Sequence, residues 1–278
     1  MKVVLFCGGE GTRIRDYSET IPKPLVPIGN RPIIWHLMKY YAHFGHRDFI
    51  LCLGHKADAI KDYFLNYNEA LSNDFVLSEG CKTIELLNHD LRDWRITFVD
   101  TGLHSNIGQR LRAVEKHLAG EEVFMANYSD GLTDVHLPSF IDNFREHDKV
   151  ASFLAVPPNY SFHLVSQYND QTVERIYPIN ASDFMMNGGF FIFKKDIFRY
   201  MRDGEELVLE PFERLVKAKQ LMSYSHRGFW ACMDTFKEKQ NLDEIYARGE
   251  APWQVWGNGH NATIPERTLA AVKEAVFF

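Results

Sequence analysis

The chain has 278 residues, 45% hydrophobic and 24% charged, with a formal net charge of −6. This suits one large α/β domain, or a domain with an appendage, and a full core. The acidic balance argues against a nucleic-acid surface, so phosphate ligands would have to be met by local cations. Cys7, Cys52, Cys81 and Cys232 show neither C-x-x-C nor zinc spacing, and no apolar run has the length of a signal peptide or a membrane span. The expectation is a cytoplasmic protein, with no membrane or nucleic-acid partner and with buried free thiols at Cys7 and Cys52.

Val3 to Phe6 is a short apolar run with β-branched residues and reads as a buried strand. Gly8, Gly9 and Gly11 follow at once. Glycines there let the chain turn sharply and let backbone N–H groups approach an anion closely. Arg13 sets a forked cation beside that loop, and Lys23, between Pro22 and Pro24, rides on a stiff segment. A strand, a glycine loop and two fixed cations suggest a polyphosphate site, although a lone glycine turn is weak evidence.

Pro32 to Gly45 reads as a helix with proline in its first turn and glycine at its stop. Phe49 to Leu53 is the next strand and Ala57 to Tyr67 a second helix, the rhythm of a parallel sheet covered by helices. Residues 68 to 93 are irregular and suggest an excursion, either a hairpin or a subunit contact. Arg95 to Val99 resumes as a strand, and Gly108 to Val114 opens a helix. Arg110 there either meets an anion or a base edge, or is a solvated arginine on a helix face.

Val123 to Asp130 is strand-like and ends in Asp130-Gly131. An acid at the carboxyl tip of a strand in an open α/β sheet lies where ligands bind. A hard divalent cation on a nucleotide takes one or two carboxylates plus phosphate oxygens; the plainer reading is an Asp-Gly turn. His136 to His147 is expected as helix and Ala151 to Val156 as strand. Short strands follow at Phe162 to Val165 and Thr172 to Ile176. Asn187 to Phe193 forms another, opened by a glycine pair where a sugar can approach the backbone and Asn187 can hydrogen-bond it. Glu210 precedes the amphipathic stretch from Phe212 to Lys219. Ser223 to Trp230 reads as one strand, leading to Asp234, the second candidate metal acid. Lys237 to Arg248 is helical, and Trp253 and Trp256 in the tail pack or join subunits.

The string G-G-x-G-T-R over Gly8 to Arg13, the P-K-P around Lys23, Gly108-x-Arg110, Ser129-Asp130-Gly131, Asn187-Gly188-Gly189 and Met233-Asp234-Thr235 together resemble the sugar-1-phosphate nucleotidyltransferase family, its cytidylyl branch above all. The resemblance covers about 1–256. It implies a Rossmann-like, mostly parallel sheet flanked by helices, with a nucleotide-binding part over 1–156, a smaller β-rich sugar-binding part over 157–235 and a tail at 257–278. It also implies Mg²⁺ dependence, a homo-oligomer, and transfer of a nucleotidyl group, CTP favoured, to a sugar 1-phosphate with release of pyrophosphate.

By the same resemblance, Gly8, Gly9, Gly11 and Thr12 cradle the triphosphate. Arg13 and Lys23 are the catalytic cations, and Arg110 and Ser129 belong to the nucleotide site. Asp130 and Asp234 hold the metal, and Asn187, Gly188 and Glu210 face the sugar. One departure stands out: the family's Glu-Lys-Pro before Asn-Gly-Gly is absent, and Arg175-Ile176-Tyr177-Pro178 takes its place. Arg175 is then the candidate to meet the sugar phosphate. The competing readings are a uridylyl- or thymidylyltransferase of the same family and a non-catalytic nucleotide-sugar-binding regulatory protein.

Overall fold

Val3–Phe6 is strand β1, buried at all positions. The computed structural model describes residues 1–9, 11, 21–158 and 162–257. After β1 come β2 (Pro27–Ile28), β3 (Arg31–Pro32), helix α1 (Ile33–His43), β4 (Asp48–Leu53), α2 (Ala57–Leu65) and α3 (Glu69–Ser72). Next are β5 (Phe75–Ser78), β6 (Thr83–Leu86), β7 (Arg95–Asp100), α4 (Ile107–Ala113), β8 (Val123–Tyr128), β9 (Gly131–Thr133) and α5 (Leu137–His147). The remainder are β10 (Ala151–Val156), β11 (His163–Gln167), β12 (Val173–Pro178), β13 (Met186–Lys194), α6 (Glu210–Lys217), β14 (Leu221–Ser225), β15 (Trp230–Cys232) and α7 (Phe236–Ala247).

The main sheet has seven strands in the order β14-β10-β13-β8-β1-β4-β7. All neighbours are parallel except β13, which runs antiparallel to both β8 and β10. Both faces are covered, which is why the central strands are apolar throughout rather than alternating. Val3 and Leu5 pack on the side of α1, α5 and α7. Val4 and Phe6 pack on the side of α4 and α6.

The chain leaves β1 toward β4 and β7, then returns to place β8 on the other side of β1. Strand order therefore reverses between β1 and β8, and the crevice beyond their carboxyl ends is the place where open α/β sheets bind ligands. Gly8 and Gly9 follow β1 there, and Ser129 and Asp130 follow β8.

The expected strand from Ser223 to Trp230 is two strands in two sheets. β14 pairs with β10, while β15 pairs with β9. His226, between them, hydrogen-bonds Asp134 at 2.7 Å and turns the chain from one partner to the other. The excursion at 68–93 contains the hairpin β5–β6, whose strands pair only with each other. It is fastened to the body by Asp90, which accepts from Arg31, Lys39 and Tyr67 at 3.0, 3.2 and 2.6 Å. Cys7 and Cys52 are buried free thiols. Among the described residues no helix is long and apolar enough to cross a membrane.

His36, on α1, is fully buried, with Nε2 3.0 Å from the Ile28 carbonyl oxygen and Nδ1 accepting from Trp253 at 3.4 Å. Burial pushes its pKa down to about 4 from 6.5. The unfolded chain binds this proton first, so the stability contributed by neutral His36 is complete above pH 6.5 and is lost as pH falls toward 4. Urea denaturation at pH 7 and pH 5 is expected to show a loss of about 2 kcal/mol from this residue. His36→Gln should flatten the slope between those values; an unchanged slope would remove His36 as its source.

Candidate active site

A cavity of about 530 Å³ opens at the β1–β8 crevice. Its lining brings together Gly9, Gly11, Lys23, Arg110, Ser129, Asp130, Asn187, Gly188 and Asp234, positions scattered over more than two hundred residues. Thr12 and Arg13 lie outside the described residues.

The acids meet because of a small ribbon. Gly131 of β9 pairs with Cys232 of β15, and the Met233 amide donates to the Asp130 carbonyl at 2.9 Å. Asp130 immediately precedes β9, and Asp234 lies just beyond β15. Thr235 caps α7 in a capping box with Glu238, whose carboxylate also accepts the Asp234 amide at 2.8 Å. These backbone bonds fix where the Asp234 side chain starts.

Lys23 sits in a single turn, Lys23–Leu25, entered from Pro22. Its ammonium donates to Asp130 Oδ2 and, at 2.6 Å, to Asp234 Oδ1. The three side chains are only 14–25% exposed. Burial alone would lower the lysine pKa; the Asp130 and Asp234 carboxylates outweigh it and hold the ammonium above its usual value. The pair of hard oxygen ligands already encloses one cation, so the donor set fits a divalent ion completed by phosphate oxygens. Among the described residues no group of three or more acidic, histidine or cysteine side chains forms an all-protein metal cage.

Arg110 is 3% exposed, and both terminal nitrogens of its guanidinium are hydrogen-bonded. Nη1 donates to Leu53 O, Thr101 Oγ1 and Gly102 O at 3.1, 2.8 and 2.9 Å. Nη2 donates to Gly8 O and Leu103 O at 2.9 and 3.3 Å. One arginine thus ties together the carboxyl ends of β1, β4 and β7. A Cβ on Gly8 would lie 2.1 Å from Arg110 Nη1, so glycine at 8 is needed to admit the guanidinium. Among the described residues nothing lies within 4 Å of a Cβ built on Gly9, which lines the cavity. Ser129 donates its hydroxyl to Phe6 O at 2.9 Å, closing β1 against β8.

On the opposite wall, Asn187 Oδ1 accepts from the Gly189 amide at 2.9 Å, and Gly188 O accepts from Trp230 Nε1 at 2.8 Å. A Cβ on Gly188 would stand 3.1 Å from that indole nitrogen. Two expected sugar-site residues do not line this cavity. Arg175 is exposed on β12, its guanidinium 5.3 Å from the centre of the Tyr177 ring. Among the described residues the β11–β12 strands pair only with each other and add no strand to the main sheet. Glu210 is exposed at the first position of α6. The acidic residue of this region on the lining is Glu206, four positions earlier.

The sequence reading also missed Tyr128, Trp230 and Cys232 on the lining. Trp230 and Cys232 alternate with Asp234 at the strand period, a signal that was available. Tyr128 adjoins Ser129, whereas nothing around Glu206 marked it. Burial pushes the thiols of Cys7 and Cys232 up to about 12. Both cysteines on the lining are therefore neutral at physiological pH and unsuited to nucleophilic attack.

A family model described as Nucleotidyl transferase matches residues 2–238. The glucose-1-phosphate cytidylyltransferases of Salmonella typhi and Salmonella typhimurium are each 35% identical over 258 residues, covering 92% of this chain and all of theirs. A solved structure of UDP-glucose pyrophosphorylase complexed with UDP-glucose superposes with a TM-score of 0.65 at 15% identity, over 89% of this chain and 98% of that one. At that identity the likeness speaks for the fold.

Proposed function

The chain belongs to the nucleotidyl transferase family, and from that premise we propose that it transfers a cytidylyl group from CTP to a sugar 1-phosphate, giving a nucleotide-sugar and pyrophosphate. The observation that carries the site is the convergence of Lys23, Asp130 and Asp234 at the β1–β8 switch point.

The reaction joins two anions. An oxygen of the sugar phosphate attacks the α-phosphorus in line, a new P–O bond forms, and the bond to pyrophosphate breaks. No protein nucleophile is required; the protein positions the reactants and neutralises charge. Gly9, on the lining and uncrowded among the described residues, offers its backbone to the phosphates. Lys23, released from its carboxylates, is the cation within reach of the reacting phosphates. Arg13 is assigned the leaving pyrophosphate on the strength of its motif. Asp130 and Asp234 would hold Mg²⁺, which when bound supplies charge neutralisation on the triphosphate. Arg110 acts at one remove, since its hydrogen bonds go to the loops that shape the cavity rather than into it.

The acceptor end is where the chain differs from its family. Among the described residues on the lining, the cations are Lys23 and Arg110, and Arg110 is engaged with backbone carbonyls. The test is pyrophosphate release with Mg²⁺, each nucleoside triphosphate and a panel of sugar 1-phosphates. CTP with at least one acceptor should give turnover. Tight CTP binding without release for any acceptor would favour the non-catalytic binding reading.

A further inference from the structure

The cavity has three regions. Gly9, Gly11, Lys23, Asp130 and Asp234 form a region for phosphates and metal. Met186, Asn187, Gly188, Trp230 and Cys232 form a second wall. The third region holds Ser105, Asn106, Ile107 and Glu206, at the start of α4, the helix that carries Arg110. Tyr128 is also on the lining, and its phenol is pushed upward first by burial and then by the charges of Glu206 and Asp130.

A carboxylate on this lining is tolerated because backbone donors meet it, and what it can offer a ligand is its remaining acceptor capacity. Glu206 is held in place by two such donors. Oε1 accepts from the Leu207 amide at 3.0 Å, and Oε2 accepts from the Ile107 amide at 3.3 Å. These two bonds fix the plane of the group, and each oxygen retains a second lone pair. An ionised carboxylate only accepts, so the ligand edge opposite it must donate.

We propose that Glu206 is a specificity-determining residue that accepts a hydrogen bond from the exocyclic amino group of the nucleobase, and so selects CTP over UTP. The proposal rests on the transferase reading and adds to it the residue that chooses the base. Cytosine and uracil have the same shape. Cytosine presents the N4 amino group at its outer edge, the donor that Glu and Asp side chains accept from in base recognition. Uracil presents a carbonyl oxygen there, and its N3–H is flanked by carbonyl oxygens that a carboxylate repels. The preference therefore comes from attraction to one base and repulsion of the other.

Glu206→Gln tests this. The amide oxygen can still accept one of the two backbone N–H groups that hold the carboxylate, while the amide NH₂, which cannot accept from the other, can now donate to a carbonyl. Wild type is expected to prefer CTP to UTP by at least tenfold, both in calorimetric affinity and in kcat/KM, and the variant to lose most of that ratio, on the order of 10–100-fold for one base-edge contact. The loss should fall in KM and Kd more than in kcat, with the fold retained by circular dichroism and only a small drop in melting temperature from the one backbone hydrogen bond given up. A CTP:UTP ratio that the substitution leaves unmoved, or a wild type that binds UTP more tightly, overturns the assignment. Absence of turnover with every acceptor would count against the transferase reading alone, because the affinity ratio still judges Glu206. Binding of neither nucleotide would overturn both.

Discussion

Replacing either Asp130 or Asp234 with asparagine is expected to lower metal-dependent pyrophosphate release by about 10²–10³-fold, the range seen when one pre-organised charge-stabilising group is removed. Asparagine keeps the shape and an acceptor oxygen, so the Lys23 contact can persist in neutral form. The β9–β15 ribbon that positions both residues is made of backbone bonds and is not touched. What changes is charge: one carboxylate in place of two facing a divalent ion. The rate should be measured across a metal titration at saturating CTP, alongside circular dichroism to check the fold. A variant reaching the wild-type rate at high metal would show that its carboxylate is not needed in the transition state.

Lys23→Met should produce two effects of opposite sign. Turnover should fall by about 10³-fold, since the ammonium is the one described cation on the lining that is not tied to backbone carbonyls. Metal binding in the absence of nucleotide should become stronger, by about tenfold or more. The ammonium sits between the carboxylates, and a unit charge a few ångströms from an incoming cation costs several kcal/mol even in a partly screened site. Titration with Mn²⁺, followed by electron paramagnetic resonance of the free ion, reads this without any turnover. Unchanged or weaker Mn²⁺ binding in the variant would show that the lysine does not compete for that position. The contrast with the aspartate variants is direct, because those should weaken both metal binding and rate.

Much of the nucleotide side was legible from residue order. The strand at Val3–Phe6, the glycine loop, the stiff lysine between prolines and the acid at the tip of β8 all lie where local rules put them, because each depends on backbone geometry within a few residues. Asp234 was legible by its position after a strand and before a capped helix. The roles of Gly8 and Arg110 were not. Gly8 looked like a residue opening space for an anion, and the space is filled by a guanidinium from a residue 102 positions away. Arg110 looked like either a ligand or a solvated side chain, and it is a buried clasp across three strand ends. Glycine spacing says that a side chain is missing, and says nothing of what occupies the gap.

The acceptor side shows the same division more sharply. The missing lysine was visible in the sequence, and Arg175 was the nearest cation in the chain to replace it. The hairpin that carries Arg175 pairs only with itself and leaves it on the outside. Glu206, in a loop without a motif, reaches the cavity while Glu210 at the start of α6 does not.

The sequence by itself therefore determined the α/β sheet, its first strand, and the placing of a glycine turn after β1 and of acids after β8 and β15, since these follow from periodicity and turn chemistry close in the chain. Only the tertiary structure decided that Lys23 stands between Asp130 and Asp234, that Arg110 binds the protein's own carbonyls, and that Glu206 rather than Glu210 is on the cavity lining. Those facts depend on how β8, β9 and β15 bring Asp130 and Asp234 to Lys23 and how α4 packs across the ends of β1, β4 and β7, and on where charge is cheaper to neutralise internally than to leave exposed.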